Sequence, residues 1–523
     1  MVHLAGFRMA ALGLLAALVL SPLSSRPANA AEVTPASVQR AVDQLDRIVD
    51  DALRRTGVPG VALAVVHRDR IVALKGYGVR DTTTGAPVGI DTVFQLASVS
   101  KPVGSTVVAS LVGDGIVGWD SRIVDLDPTF RMHEEWVTAQ LTIRDLYSHR
   151  SGLPDHAGDD LEDLGYGREE ILRRLRFLPP AYQFRSGYNY TNFGMTEAAV
   201  AAAKAAGRSW EDLSAERLYR PLGMTRTSSR FADFATAPDR ALTHVRVGDR
   251  WEPRFVRNPD AQSPAGGVSS TARDLAQWLR LQLGNGEVDG RRIVGAEALA
   301  ETHRPQAIAV PPANPATDHP QLYGLGWNVG SDAAGRVRLS HSGAFALGAA
   351  TVVVLLPSEE LGIVVLTNGE PVGVPEAIAA SFFDVATEGR VQRDYVSLYG
   401  RIFAEALAPA YGRQYDYSQP PVAPAPARPL GAYVGRYVND YVGVVELGLG
   451  SEGLELRLGP LQAPFALRHW DGDIFLYQPA GENAAGPARV VFSAGIDGRI
   501  ETVTIENLNI TGGGVLRRVS AIG

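Results

Sequence analysis

Ser98, Val99, Ser100 and Lys101 form an S-x-x-K tetrad, which sets a hydroxyl and an amine three residues apart. Residues 92–96 before it are β-branched and apolar, and predict an extended segment. After it Val103, Val107, Val108, Leu111 and Val112 recur at helical spacing, and Pro102 fits only a first helical turn. Residues three apart share a helix face, so the Ser98 hydroxyl lies beside the Lys101 amine. A serine hydroxyl becomes a nucleophile once a neighbouring base takes its proton, and a neutral lysine can be that base. Burial or neighbouring charge lowers a lysine pKa from about 10.4 toward neutrality. The start of the helix would also stabilise negative charge developing near Ser98.

Serine three residues before lysine is commonplace on solvated helix faces, so the tetrad alone proves little. Composition singles this one out. Of 50 cationic residues, all but Lys75, Lys101 and Lys204 are arginine. Arginine stays charged in a protein, whereas lysine shifts its pKa readily.

Two further passages carry polar side chains suited to a cleft. Residues 184–194 form a loop dense in aromatic and amide groups, and in extended backbone Tyr190 and Asn192 point the same way. Tyr437 and Asn439 repeat that Y-x-N pattern, but in a β-rich tail. His341 ends the extended run 337–339, and Gly343 two residues on lets backbone approach a ligand closely. His156, Ala157 and Gly158 give the same H-x-G pattern, so three letters are not a site. His149, in the breaker-rich turn 148–154, reads as a structural histidine that hydrogen-bonds a loop.

The elements that must position these groups follow from periodicity. Apolar residues at helical spacing over 34–55, closed by Gly57, predict a helix. Runs 61–66 and 71–74 around a polar turn predict a β-hairpin. Helices are expected over 168–177, 195–206, 271–283, 376–387 and 394–407, and strands over 351–356 and 361–367. Residues 323–327 read as a strand with close backbone packing at Gly324 and Gly326. Residues 419–429 are a stiff Pro/Ala linker. Beyond it the apolar period is two throughout, which predicts a small all-β barrel or sandwich.

S-x-x-K, Y-x-N and H-x-G in that order resemble the serine β-lactamase and penicillin-binding-protein superfamily. The resemblance is narrower to its class C-like branch of β-lactamases, D-aminopeptidases, D,D-carboxypeptidases and esterases. The phrases at 148–154, 221–224, 265–271 and 323–327 support it, and it spans roughly 38–387. It implies an α/β (α+β) fold, a mixed sandwich of a helical lobe and an antiparallel sheet built from both chain ends. It implies that Ser98 is the acylated nucleophile, Lys101 its base and Tyr190 a proton shuttle to the leaving group. Asn192 would orient Lys101 and the substrate amide, and His341 would line the cleft with Gly343 and Ala344. The backbone N–H groups of Ser98 and Ala344 would form an oxyanion hole. Relatives that recognise a penicillin carboxylate carry lysine where His341 stands, and an unperturbed histidine is mostly neutral at pH 7. A peptidase or esterase is therefore expected, with a β-lactamase, a D,D-carboxypeptidase or a receptor that acylates without turnover as alternatives. The tail resembles the lipocalin-like domains that some of these peptidases carry.

A net charge of −7 argues against a nucleic-acid partner. No metal-ligand spacing and no phosphate-cradling glycine loop occurs, so no metal or cofactor is expected. His3 and Arg8, a short apolar stretch 9–20 and the Ala28-Asn29-Ala30 site have the layout of a secretory signal. An exported, periplasmic or secreted protein without a membrane anchor follows. With no cysteine it holds no disulfide. These features divide the chain into a signal peptide (1–30), a hydrolase domain (31–412), a linker (413–429) and a β-barrel domain (430–523). The substrate expected is a small molecule or peptide, and the β domain is a candidate surface for oligomerisation.

Overall fold

A computed structural model describes residues 32–519, so the leader expected at 1–30 lies outside the described residues. Among them no helix is long and apolar enough to cross a membrane. The chain opens with the helix Pro35–Thr56, started by a Thr34–Ser37 capping box and stopped by Gly57 at φ 73°. Strands Gly60–His67 and Arg70–Asp81 form the expected hairpin, and Arg68 and Asp69 turn it with positive φ.

The second strand of the hairpin takes the short Ala86–Pro87 as its outer neighbour, while the first pairs with Leu361–Thr367, from the other end of this half of the chain. An antiparallel nine-stranded sheet results, continuing through Ala349–Leu356 and Val337–Phe345 to Ala307–Val310. Both faces of its centre are buried, which is why these strands read as unbroken apolar runs. Val61, Leu63, Val65, Val352, Val354, Ile363 and Val365 face the helices Pro35–Thr56 and Val374–Glu388. Ala62, Ala64, Val353, Val364 and Leu366 face the opposite core, with Leu275 and Trp278 of the helix Ala272–Leu283. Each fully buried valine or leucine contributes roughly 1.5–3 kcal/mol.

On that second side the helix Ser100–Gly113 is buried from Ser100 through Leu111, with valines, serines, Ala109 and Gly104 allowing close neighbours on every side. It runs through the middle of the helical lobe, with Asn192–Ala205 beside it. The tail from Gly435 to Arg518 forms a second antiparallel nine-stranded sheet. Its end strands Ala463–Ala466 and Arg468–Asp471 are consecutive in sequence, so the sheet curls into a nearly closed barrel. Leu454, Leu456 and Leu458 point inward on alternate positions, as the period predicts.

Two local expectations are corrected. Residues 324–327 are the bend between Gln321–Tyr323 and Asn328–Ser331, not a strand. The close approach expected of the glycines does hold, since a Cβ on Gly326 would lie 3.0 Å from the Lys101 carbonyl oxygen. His341 lies in the middle of Val337–Phe345 rather than at a strand end, because pairing with Ala349–Leu356 runs through to Phe345.

A buried carboxyl makes stability depend on pH. Glu376, in Val374–Glu388, is 3% exposed and neither carboxyl oxygen has a well-placed partner. Burial pushes its pKa up to about 7, opposed by the nearby Ser342 hydroxyl. The folded state thus holds a proton that the unfolded chain releases near pH 4.3. The stability tied to that proton is complete below that pH and is lost as pH rises through about 7, on the order of 3 kcal/mol in all. Glu376→Gln is expected to be more stable than the parent in urea unfolding at pH 8 and to show little gain at pH 4.5.

Candidate active site

The nucleophile turn is built by a short 3-10 segment, Ala97–Val99, that runs into Ser100–Gly113. Ala97 is held at φ 46°, a left-handed conformation costing roughly 1–2 kcal/mol for a residue with a Cβ. Such strain persists only where the surroundings fix it. Here the Leu96 carbonyl accepts from Thr351 Oγ1 at 2.6 Å and from the Val99 N–H at 3.2 Å. Ser98 is partly exposed, while the residues on either side of it are buried.

Lys101, one turn on, is fully buried. Its Nζ lies 3.1 Å from Ser98 Oγ, 2.6 Å from Asn192 Oδ1 and 3.1 Å from the Ala265 carbonyl oxygen. Burial brings its pKa down to about 7, opposed by Asp159. Asn192 Oδ1 and Ala265 O are acceptors only. A neutral amine, with two protons and one lone pair, therefore donates to both and turns its lone pair to the Ser98 hydroxyl.

Asn192 is oriented by an acid the sequence did not single out. Asp159 Oδ2 accepts from Asn192 Nδ2 at 2.7 Å and lies 2.7 Å from His156 Nδ1. That contact turns the amide so that Oδ1 faces Lys101. Burial disfavours the charge on His156, yet Asp155 and Asp159 carry its pKa up to about 8. His156, set aside as a decoy for the H-x-G motif, is thus a close neighbour of the site. Asn192 itself is the first residue of Asn192–Ala205, not part of an extended pair with Tyr190. Its extended N-cap Thr191 still lets both side chains reach one space.

Tyr190 is 3% exposed, and its ring centroid lies 4.4 Å from Lys101 Nζ. Burial holds its phenol above the usual tyrosine value, while a hydrogen bond with the Ser98 hydroxyl works the other way. The ring is walled by His149 at 4.7 Å, His156 at 5.5 Å and His341 at 6.3 Å, centroid to centroid. His149 is structural as expected: its Nδ1 accepts from the Thr191 N–H, fixing the loop after Tyr190. Burial, with Lys101 second, holds its pKa well below the usual range.

His341 departs from its expected place in the cleft lining, because its ring has no exposed surface. Its Nδ1 faces the Ser342 carbonyl oxygen at 2.7 Å, so Nδ1 carries the proton, and Nε2 accepts from the Tyr323 hydroxyl at 3.0 Å. Burial, with Lys101 second, pushes its pKa down to about 3. A neutral ring behind Tyr190 supplies no cation for a substrate carboxylate. Gly343 meets the nucleophile turn edge-on. A Cβ there would sit 2.2 Å from the Leu96 carbonyl oxygen and 3.0 Å from the Ser98 nitrogen. Ala344 follows and helps line a cavity of about 360 Å³ between the helical lobe and the barrel. The lobe side carries His156 and Asp159, the barrel side Phe465, Tyr477 and Glu482. Tyr437 and Asn439, the other Y-x-N pair, lie in the first strand of the barrel.

The Beta-lactamase family profile matches residues 45–383, and a second profile, a domain of unknown function (DUF3471), matches residues 419–513. The chain is 26% identical over 499 residues to the unguisins hydrolase ungD of Aspergillus violaceofuscus (strain CBS 115571), covering 86% of this chain and 85% of the relative. It is 30% identical over 348 residues to penicillin-binding protein 4 of Amycolatopsis lactamdurans, covering 64% of this chain and 85% of that protein. The solved structure of the octameric penicillin-binding protein homologue from Pyrococcus abyssi superposes with a TM-score of 0.55 at 18% identity. That match covers 91% of this chain and 99% of the other, a likeness of fold.

Proposed function

The chain belongs to the beta-lactamase family, and from that we propose an exported serine hydrolase that cleaves a peptide or ester bond through an acyl intermediate on Ser98. The observation that carries this reading is a wholly buried amine, with pKa about 7, lying 3.1 Å from a partly exposed serine hydroxyl. Neutral Lys101 takes the Ser98 proton as Oγ attacks the substrate carbonyl. The oxyanion that forms is received by the N–H groups of Ser98 and Ala344, a type of contact contributing about 3–4 kcal/mol to the barrier. As the tetrahedral adduct collapses, the bond to the leaving group breaks and Tyr190 relays a proton to the departing nitrogen or oxygen. Water then attacks the acyl carbonyl, giving up its proton through the same pair, and Ser98 is restored. Asn192, held by Asp159, keeps the Lys101 lone pair aimed at Ser98 throughout.

The unguisins hydrolase among the relatives supports hydrolysis, and the neutral His341 argues against dependence on a substrate carboxylate. The likeness to penicillin-binding protein 4 favours a second reading, a receptor that stays acylated. Mass spectrometry of the intact protein, mixed with a panel of lactams, p-nitrophenyl esters and D-amino-acid amides, separates the two. A transient adduct on the Ser98 peptide with product release is expected. A persistent adduct without turnover would establish the receptor, and neither adduct nor turnover would remove both.

A further inference from the structure

We propose that Glu482, supplied by the C-terminal barrel, is a positioning residue that holds the oxyanion-hole strand against the nucleophile turn. This rests on the acyl-Ser98 reading and adds to it a part for the second domain. The barrel loop between Ile474–Tyr477 and Ala488–Ala494 reaches onto the helical lobe. Asp163 anchors it, accepting from the N–H groups of Glu482 and Asn483 at 2.8 Å each and from Asn483 Nδ2 at 2.9 Å. Gly481 makes this approach possible. Its φ is 119°, and a Cβ there would lie 2.3 Å from Asp163 Cγ.

Thus anchored, the Glu482 carboxylate accepts from the backbone N–H groups of Ala346 and Leu347, in the turn that follows Val337–Phe345. Each carboxyl oxygen supplies an acceptor to a backbone N–H that would otherwise be left unpaired at the domain contact. Arg257 adds a second hold. Its Nε lies 3.7 Å from Glu482 Oε2, its Nη2 donates to Glu162, and its guanidinium stacks 5.1 Å above the Phe345 ring. Phe345 in turn packs against Ala97, the strained residue directly before Ser98. Ala344 and Ser98, whose N–H groups would receive the oxyanion, therefore flank one packed contact that the barrel clamps from behind. Burial carries the Glu482 pKa up to about 8, with Arg257 opposing and Asp163 adding to it. Displacements near 1 Å at such a site cost about 100-fold in rate.

The test uses the full chain with an active ester and follows acylation rate, KM and the infrared stretch of the acyl carbonyl. Glu482→Ala is expected to lower kcat about 10- to 100-fold with KM within about threefold. Its acyl carbonyl stretch should move to higher frequency, as hydrogen bonding at the oxyanion site weakens. Glu482→Gln keeps an acceptor oxygen and is expected to recover most of the rate and frequency. Asp163→Ala, which loosens the loop and leaves the carboxylate, should shift the same way by less. Normal rate and frequency in Glu482→Ala would overturn the proposal while leaving the acyl-serine reading intact. Absence of a Ser98 adduct in the unaltered protein would instead remove that reading, and with it this one.

Discussion

With Ser98 replaced by alanine, hydrolysis of esters and amino-acid amides is expected to fall about 10⁴-fold or more, and the Ser98 peptide to carry no adduct with any probe. Loss on that scale follows because the change removes the atom to which the acyl group would bond. What remains are the oxyanion donors, which are backbone N–H groups and survive the substitution. The fold should be untouched. Ser98 is partly exposed, and the Ala97 turn is fixed by bonds to the Leu96 carbonyl rather than by the serine side chain. Measured turnover above background in a correctly folded variant would show that another group attacks.

Lys101→Met is expected to lower kcat/KM about 10²- to 10⁴-fold, the range of a positioned general base. Methionine approximates the volume of the lysine stem, so the packing of Ser100–Gly113 should hold. Asn192 Oδ1 and Ala265 O lose their donor, at a cost of about 1–3 kcal/mol each, while an amine no longer has to be buried. The pH profile gives the sharper readout. Only the neutral amine accepts a proton, so in the parent kcat/KM should rise with pH through about 7, level off above it, and fall tenfold per unit below it. In the methionine variant this limb should vanish. Tyr190 cannot supply it at neutral pH, since burial holds its phenol protonated. A limb retained in Lys101→Met would transfer the role to another titrating group, and His156, with a pKa near 8, is placed to be tested next.

How much was legible beforehand divides along sequence separation. The Ser98–Lys101 relation is one helical turn, fixed by backbone geometry wherever that helix forms, and it could be read from two residue types and a proline. The strands and helices at both ends of the hydrolase half were legible for a similar reason. Val61, Leu63 and Val65 alternate with Ala62, Ala64 and Val66, and both sets are apolar because both sheet faces are covered. The order of the three motifs suggested that Tyr190 and Asn192 join Ser98, but nothing local says how. Asn192 lies 91 residues from Lys101 and Ala265 lies 164. Asp159, which turns the Asn192 amide, sits in an acidic stretch that reads as an ordinary solvated surface.

The sequence by itself determined a hydroxyl with an amine one turn away and an apolar period that builds the sheet and barrel around them. Only the tertiary structure decided that the amine is dry and close to neutral, because desolvation depends on every element packed over Lys101 and on none of its sequence neighbours. The same holds for His341, which the family resemblance placed in the cleft lining and which strand pairing and the Tyr323 hydroxyl bury behind Tyr190. It holds for Glu482 as well, a residue in a barrel loop whose partners lie 135 and 136 positions away. Charge state and reach are properties of surroundings, and chain folding assembles those surroundings from distant segments.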